Sequence, residues 1–361
     1  MMANYRQIDT KKAQDFCEYL FCAYGFSSDE SKIITDVLIR ADLYGIESHG
    51  IQRLIRYHDE ITSGRVSVKA KMEIVHETAI SACIEANKAM GQLAGTWAMN
   101  LAIQKAKSCG CGMVTVRNSN HYGIAGYYTE MAAAEDLIGT STTNTEAICV
   151  PTFGSQAMTG TNAMALAMPA DPYVFSYDAS TTVVPRGTLE VFMKNNKALP
   201  ENWALDANGN PCSDAVVVID NIIAKAGGGI APLGGLGTLH GGHKGYGLSI
   251  IVDLFSAVIS GGLTSNYVNR QPGHTGICHF FTAIDYGIFG DKVSIKAGMS
   301  KFLQELRESK KAEGQSRIYT HGEMAAEMMA KRREGQIPVN DKTLTEMKEI
   351  AEKLGVTFLD V

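Results

Sequence analysis

A serine, a histidine and an arginine near the start of the chain have the types and spacing to handle a carboxylate-bearing carbonyl compound. Ser48 precedes His49, and Arg53 follows four residues later. If a helix resumes at Gly50, the imidazole and the guanidinium project from one face. The guanidinium can then grip a carboxylate while the imidazole, oriented by Ser48, exchanges a proton with the carbonyl oxygen. An ordinary solvated helix start is the alternative interpretation.

A second histidine lies in a polar loop. His121 belongs to residues 118–122, which follow an apolar run at 113–117 and precede a predicted helix. Loops of this kind carry ligand-binding groups in α/β proteins. We therefore predict that His121 is a second acid/base or a neighbour of a nicotinamide ring. A histidine fixed by hydrogen bonds within its loop is the alternative.

Three short polar stretches lie at predicted strand ends, at residues 160–162, 178–182 and 186–187. Serine and threonine hydroxyls beside glycine suit hydrogen bonds to ribose, amide or phosphate groups. The carboxylate of Asp178 could polarise a histidine. Loop capping explains each stretch at least as well.

Ten of the 36 glycines fall in residues 227–247, ahead of an apolar helix. Backbone amides at a helix N-terminus, with Lys244 nearby, form a cradle for a pyrophosphate or a 2′-phosphate. Gly245 follows the lysine where a P-loop needs serine or threonine, and no glycine fingerprint of the Rossmann type occurs. A zinc site at His240 and His243 and a flexible lid without a ligand are the alternatives.

These candidates need a fold that brings both ends of the chain to a central sheet. Helical patterns cover residues 8–62 and the charged tail, whereas the centre alternates strand-like runs with helices. We predict a helical domain from residues 1–71 and 299–361, and an α/β domain from residues 72–298.

The composition narrows the class of protein. The chain has 361 residues, 33 basic and 38 acidic side chains and 45% hydrophobic residues, which is typical of a globular protein rather than a disordered one. The sequence has no basic tract long enough to indicate nucleic-acid binding. The apolar stretch at 248–263 is too short to cross a membrane. Eight cysteines without a CxxC pair, and no secretory signal in residues 1–10, predict a cytoplasmic protein.

Taken together, these segments resemble the malate/L-lactate dehydrogenase family that lacks a Rossmann fold, which includes ureidoglycolate and sulfolactate dehydrogenases. The resemblance covers most of the chain. It rests on several motifs in the right order, namely residues 48–53, 118–123, 160–162, 200–204, 241–247 and 321–323.

The resemblance implies an α/β fold with a central mixed, largely antiparallel sheet, flanking helices and a helical domain from both termini. It implies an NAD- or NADP-dependent oxidoreductase of small 2-hydroxy and 2-oxo acids, with malate and oxaloacetate our first choice, and a homodimer. His49 with Ser48 and Asp178 is similar to the family's proton relay, His121 to its other proton acceptor, and Arg53 to its carboxylate anchor. The implied cofactor contacts are Tyr122, Gly123, Thr145, Thr161, Asn162, Asp178, Ala179, Ser180, His243, Lys244 and Gly245.

Three positions depart from the family pattern: Ala163, Ala179 and His321. They leave the choice between NAD and NADP open, and the substrate can equally be lactate, ureidoglycolate, sulfolactate or a cyclic imine. Two other classes also stay open. One is a metal-dependent lyase or hydrolase that uses His240 and His243, and the other is a binding protein without turnover.

Overall fold

The computed structural model describes residues 5–359. The strands are β1 Tyr5–Asp9, β2 Glu73–Glu77, β3 Ser81–Glu85, β4 Cys111–Ser119, β5 Ile138–Thr143, β6 Ala163–Met168, β7 Phe175–Ala179, β8 Ala204–Leu205, β9 Gly229–Ile230, β10 Ile277–Ile284 and β11 Gln336–Asn340. The α-helices are α1 Thr10–Tyr24, α2 Ser28–Leu43, α3 Leu54–Thr62, α4 Gly91–Cys109, α5 Ala125–Ala134, α6 Arg186–Lys194, α7 Ala215–Ala224, α8 Gly242–Asp253, α9 Lys292–Glu308, α10 Glu323–Arg332 and α11 Asp341–Leu354.

The central sheet has seven strands in the order β2-β3-β4-β10-β5-β6-β7. The pair β3 and β4 is parallel, and the other neighbouring strands are antiparallel. This is the mixed, largely antiparallel sheet expected from the sequence, and the predicted fold class is confirmed. Antiparallel neighbours distinguish it from the parallel sheet of a Rossmann domain.

Small residues allow α4 to lie close to the sheet. Ala94, Ala98, Ala102 and Ala106 recur every fourth residue on one face of the helix, and all four are fully buried. A side chain at Gly112 of β4 would come within 2.0 Å of the Ala102 carbonyl oxygen. The helix therefore packs directly on the strand that leads to His121.

Both ends of the chain share one hydrophobic core. Strand β1 pairs antiparallel with β11, with the buried residues Ile8 and Ile337 opposite each other. The core includes side chains from α1, α2, α3 and α11. The strand at residues 5–9 was missed, because the helical pattern appeared to begin at residue 8. The domain boundaries near residues 71 and 299 stay predictions.

Several helices differ from their predicted limits. The sequence pattern predicts helices over residues 300–308 and 248–259. Helix α9 instead begins at Lys292, and α8 begins at Gly242 and continues into a π-helical turn, Leu254–Val258. Helices α6 and α7 were not predicted. In the connector between them, the Asp206 carboxylate accepts hydrogen bonds from the backbone of Asn208 and Asn210, as in an Asx turn.

Within residues 5–359, no helix is both long and apolar enough to cross a membrane.

Candidate active site

The segment that carries His49 is fixed by a buried aspartate. Asp42 of α2 accepts a hydrogen bond of 2.8 Å from the backbone N–H of Ile51, and a side chain at Gly50 would collide with its carboxylate at 2.0 Å. Arg332 of α10 donates to the Asp42 carbonyl oxygen at 2.5 Å and pairs with Glu47 at 3.3 Å. The two ends of the chain thus hold the first candidate segment together.

His49 and Arg53 lie on two successive 3₁₀ turns, Glu47–His49 and Ile51–Arg53, and helix α3 begins only at Leu54. The helix that we expected to resume at Gly50 is therefore absent there, because the close contact with Asp42 bends the backbone. The Ser48 hydroxyl lies 2.9 Å from His49 Nδ1, as expected. Arg53 donates through Nε to the Ser48 carbonyl oxygen at 2.5 Å.

His121 lies against His49. Their rings are stacked with centroids 5.6 Å apart and an interplanar angle of 26°. The Tyr57 hydroxyl lies 2.8 Å from His121 Nδ1 and accepts a hydrogen bond of 2.9 Å from Gln92 Nε2. Because the described residues form no hydrogen bond to Nε2 of either histidine, both rings keep one nitrogen for a ligand.

The surroundings keep both rings neutral. Burial, with the nearby charges of Arg53 and Arg56, lowers the pKa of His49 to about 3. Burial and the charge of Arg56 hold the pKa of His121 well below its usual value. Because the Arg56 guanidinium bonds to Glu60 through Nε at 2.8 Å, it is fixed beside the pair. Each ring is therefore in the neutral form, in which one nitrogen has a lone pair that can accept a proton.

A close backbone contact and a second buried histidine support the His121 loop. A side chain at Gly91, at the start of α4, would come within 2.4 Å of the His121 carbonyl oxygen. The His279 ring stacks on Tyr122 with centroids 4.4 Å apart. Tyr122 is 1% exposed and its hydroxyl lies 3.0 Å from Ser141. Its side chain therefore packs in the core. A side chain at Gly123 would meet Val37 at 2.4 Å. Cofactor contacts at Tyr122 and Gly123 stay predictions.

Several predicted cofactor residues are joined by hydrogen bonds. Thr145 Oγ1 lies 3.1 Å from Thr161 Oγ1 and accepts from the Thr161 backbone N–H at 2.9 Å. Thr181, just after Ser180, donates its N–H to the Thr161 carbonyl oxygen at 2.8 Å and accepts from Leu233 N–H at 2.9 Å. This chain of contacts connects the ends of β5, β6 and β7 to the glycine-rich segment.

Asn162 is fully buried in a polar network. Its Nδ2 donates to the Asp253 carboxylate at 2.8 Å, and its Oδ1 accepts from Ser265 and from the Thr145 backbone at 3.0 and 3.2 Å. Asp253 also accepts from Asn144 at 3.0 Å. Asn162 therefore holds the backbone of Thr145 in place, and its contact with a cofactor stays a prediction.

Asp178 is not bonded to either histidine in the described part of the chain. It is exposed at the end of β7, and its carboxylate accepts from the backbone N–H of Gly126 in α5 at 2.7 Å. The relay from Asp178 to His49 expected from the sequence is thus not formed.

The glycine-rich segment presents a helix N-terminus that fits a phosphate group. Gly241 adopts a left-handed conformation, with φ of 86°, and no side chain caps the first turn of α8. His243 and Lys244 are exposed in that turn, whereas Gly245 is buried. Only glycine fits at position 245, because a side chain there would come within 2.3 Å of the Leu233 carbonyl oxygen. Uncapped amides with an adjacent lysine are the donors that a dinucleotide phosphate requires.

His240 and His243 gain no third ligand. Among residues 5–359, no group of three or more histidine, cysteine, aspartate or glutamate side chains is placed to hold a metal ion.

Comparison with known proteins gives the same family as the sequence motifs. The sequence model of the malate/L-lactate dehydrogenase family matches residues 8–348. A malate dehydrogenase of Pyrococcus abyssi is 42% identical over 99% of this chain and 98% of its own length. The chain belongs to the malate/L-lactate dehydrogenase family. Its resemblance to that family is confirmed, and the family implies an oxidoreductase with a nicotinamide cofactor.

Other family members extend the comparison. An L-sulfolactate dehydrogenase of Methanocaldococcus jannaschii is 34% identical over 93% of this chain and 94% of its own length. The crystal structure of malate dehydrogenase from Entamoeba histolytica superposes with a TM-score of 0.95 at 34% identity, covering 99% of this chain and 100% of that one. The fold of this dehydrogenase is therefore that of solved family members.

Sequence reasoning missed four residues of the histidine pocket, Tyr57, Gln92, Asp42 and Arg332. A signal existed for Tyr57, since Arg53, Arg56 and Tyr57 have the i, i+3, i+4 spacing of one helix face. No local sequence pattern indicates Gln92, because its hydrogen-bonding partner Tyr57 lies 35 residues away in the sequence.

Proposed function

We propose that the enzyme oxidises a small 2-hydroxy acid to its 2-oxo acid, and reverses that reaction, with malate and oxaloacetate as the preferred pair. The observation that carries the proposal is the stacked pair of neutral imidazoles with Arg53 beside them. Such a site binds a carboxylate and moves one proton. The identity to a malate dehydrogenase supports malate over the other acids.

We assign the proton transfer to His121. Its Nδ1 is bonded to the buried Tyr57 hydroxyl, so Nε2 is the nitrogen that faces a substrate hydroxyl. Arg53 holds the C1 carboxylate through its terminal nitrogens, since Nε is already bonded to Ser48. His49, oriented by Ser48, donates a hydrogen bond to the substrate oxygen or carboxylate.

NAD or NADP supplies the nicotinamide ring that accepts the C2 hydride. We propose that its phosphates bind the first turn of α8 beside His243 and Lys244, while Thr145, Thr161, Ala179 and Ser180 contact the rest of the dinucleotide. The hydrogen-bonded chain from Thr145 to Leu233 supports this route along the sheet edge. Asp178, exposed at the same edge, is a further candidate contact.

A spectrophotometric screen tests the reaction. NADH and NADPH are each offered with oxaloacetate, pyruvate, sulfopyruvate, oxalurate and a cyclic imine acid, and the loss of absorbance at the nicotinamide band is followed. We expect the highest kcat/KM for oxaloacetate. A larger kcat/KM for another 2-oxo acid contradicts the malate assignment, and no oxidation with any of them contradicts the proposal itself.

We further propose that the enzyme is a homodimer that buries the outer face of α8. Ile250 of α8 forms an exposed apolar row with Leu254 and Val258 of the π-helical turn that continues it, with exposed fractions of 46%, 43% and 55%. Ile251, Phe255 and Ile259 form the next row. An apolar surface of this kind marks an interaction site. Light scattering after size exclusion should give a dimer for the native chain and a monomer for Val258→Asp. Val293→Asp, at an exposed apolar position of α9, is the matched control and should remain dimeric.

We also propose a cytoplasmic location. All eight cysteines are free thiols, and Cys17, Cys149 and Cys278 are buried. Unpaired thiols fit a reducing compartment.

A further inference from the structure

Gln92 is a buried glutamine behind the histidine pair with only half of its side-chain amide bonded. It is 0% exposed, and its Nε2 donates to the Tyr57 hydroxyl. Its Oε1 is also buried but accepts no hydrogen bond from the described residues. A buried acceptor without a donor costs free energy, so a glutamine at this position calls for an explanation.

The hydrogen bonds around Tyr57 define which nitrogen of His121 carries its proton. The Tyr57 hydroxyl has one proton. Because it accepts from Gln92, it donates that proton to His121 Nδ1, 2.8 Å away. The Gly123 N–H also points to Nδ1, at 3.4 Å. In this arrangement the neutral ring is protonated on Nε2, and that nitrogen cannot accept a proton from a substrate hydroxyl.

Reversal of the Gln92 amide produces the other tautomer. A half-turn of the amide places Oε1 where Nε2 now lies, since the two groups are nearly the same size. Tyr57 then donates to Oε1 and accepts from His121 Nδ1–H. The ring now has its lone pair on Nε2, and it keeps the Nδ1–H bond after Nε2 takes up a proton. Both the base and the imidazolium are then fully bonded.

We propose that Gln92 is a positioning residue that controls the tautomer of His121 by reversing its side-chain amide. The proposal rests on the role of His121 as the acid/base of the proposed function. During oxidation, the hydroxyl proton of the substrate passes to His121 Nε2 and the C2 hydride passes to the nicotinamide ring. No proton leaves through Gln92, which only exchanges its donor for its acceptor.

A neutral amide suits this pocket. His121 faces the guanidinium groups of Arg53 and Arg56, the ring of His49 and, from β10, the ring of His279. A carboxylate at position 92 would only accept a hydrogen bond from Tyr57 and would hold His121 in one tautomer, whereas an amide supports either tautomer. The Gly123 N–H favours the arrangement in which His121 Nδ1 is an acceptor, so this is the resting state of the pocket. We therefore place the reversal of the Gln92 amide within the catalytic cycle.

Two substitutions at Gln92 test the proposal. In Gln92→Glu the carboxylate only accepts, so it should hold His121 as the Nδ1–H tautomer and move the acid limb of kcat/KM to higher pH by about one unit. In Gln92→Met no acceptor remains. His121 should then stay protonated on Nε2, and kcat for oxidation should fall on the order of tenfold, with the KM of the hydroxy acid unchanged.

The tautomer is measured directly by the ¹⁵N chemical shifts of the His121 ring in the protein without cofactor. Tyr57→Phe removes the bridge conservatively. Adding Gln92→Glu to it should then leave the His121 tautomer as it is in Tyr57→Phe, and any shift of the pH profile that remains is the through-space effect of the added charge. Gln304→Glu, on the exposed face of α9, is the control for added charge.

Unchanged ¹⁵N shifts and an unchanged pH profile in Gln92→Glu, or an unchanged kcat for oxidation in Gln92→Met, overturn the proposal. If Gln92→Glu does not fold, unchanged His121 shifts in Tyr57→Phe overturn it equally. If the shifts change as expected but the native enzyme oxidises no 2-hydroxy acid, the proposed function fails while the control of the tautomer stands.

Discussion

The histidine pocket and the glycine-rich segment are built differently, although both are candidate parts of one site. In the pocket, the nitrogen facing away from the ligand side is bonded in both rings, to Ser48 or Tyr57. In the glycine-rich segment, by contrast, Lys244 and His243 are exposed and α8 has no side-chain cap. The proposed substrate end is therefore ordered by hydrogen bonds within the chain, whereas the proposed phosphate end presents exposed donors that a bound phosphate would engage. Substitutions in the first region should act on chemistry, and those in the second on binding.

The largest effect should come from His121. In His121→Ala, kcat should fall by roughly 10²- to 10⁴-fold, because the group that receives the substrate proton is lost. Steady-state kinetics with malate over a pH series measures this loss and shows whether the pH-dependent limb of the kcat profile is retained. His76→Ala, at an exposed histidine of β2, is the control and should keep both. If His49→Ala rather than His121→Ala abolishes the limb, the two histidines exchange roles.

Arg53→Lys comes next. A lysine has one compact charge in place of the planar fork, and it cannot bond both to the Ser48 carbonyl and to two carboxylate oxygens. We expect kcat/KM to fall by about 10- to 100-fold for every 2-oxo acid, mainly through KM. Arg6→Lys, in an exposed pair with Asp341, is a control for the exchange itself. Unchanged kcat/KM for all acids would remove Arg53 from the substrate site.

In the glycine-rich segment the effect should be smaller and of another kind. Lys244→Ala should raise the KM of the dinucleotide about threefold to tenfold and leave kcat unchanged, because an exposed lysine contributes charge to binding and nothing to proton transfer. The increase should shrink at high salt. A loss of kcat at saturating dinucleotide would show that the two regions are not separate. Lys301→Ala, on the exposed side of α9, is the matched control.

The same contrast explains what the sequence could reveal. Some strands could be located from apolar runs, such as β6, whereas the mixed, largely antiparallel sheet was implied by the family resemblance. The motifs around His49 and His121 could be found because each is contiguous in sequence. The contact of Tyr57 with Gln92 joins residues from two helices, and the Asp42 carboxylate meets Gly50 through a turn that has no local signal. Helix α7 was missed because Val216, Val217 and neighbouring branched residues favour strands, while the Asp214 cap and tertiary packing decide for a helix.

The last effect concerns stability rather than activity and comes from the aspartate that supports the histidine pocket. Asp42 is 2% exposed, and its burial raises its pKa from 3.8 to about 8, although Ile51 N–H opposes the shift. Between these pH values the folded chain binds more protons than the unfolded chain, so stability decreases as pH rises toward 8.

Asp42→Asn keeps an acceptor for Ile51 and has no carboxyl group to titrate. The variant should therefore lose that part of the pH dependence, which is at most about 1.4 kcal/mol per pH unit. Urea unfolding of both proteins at pH 6, 7 and 8 measures the difference. Asp59→Asn, on the exposed side of α3, is the control. If the free energy of unfolding had the same pH dependence in the native protein and in Asp42→Asn, the Asp42 carboxyl would already be ionised in the folded chain. The guanidinium of Arg332, which donates to the Asp42 carbonyl oxygen, would then balance its charge instead of a proton.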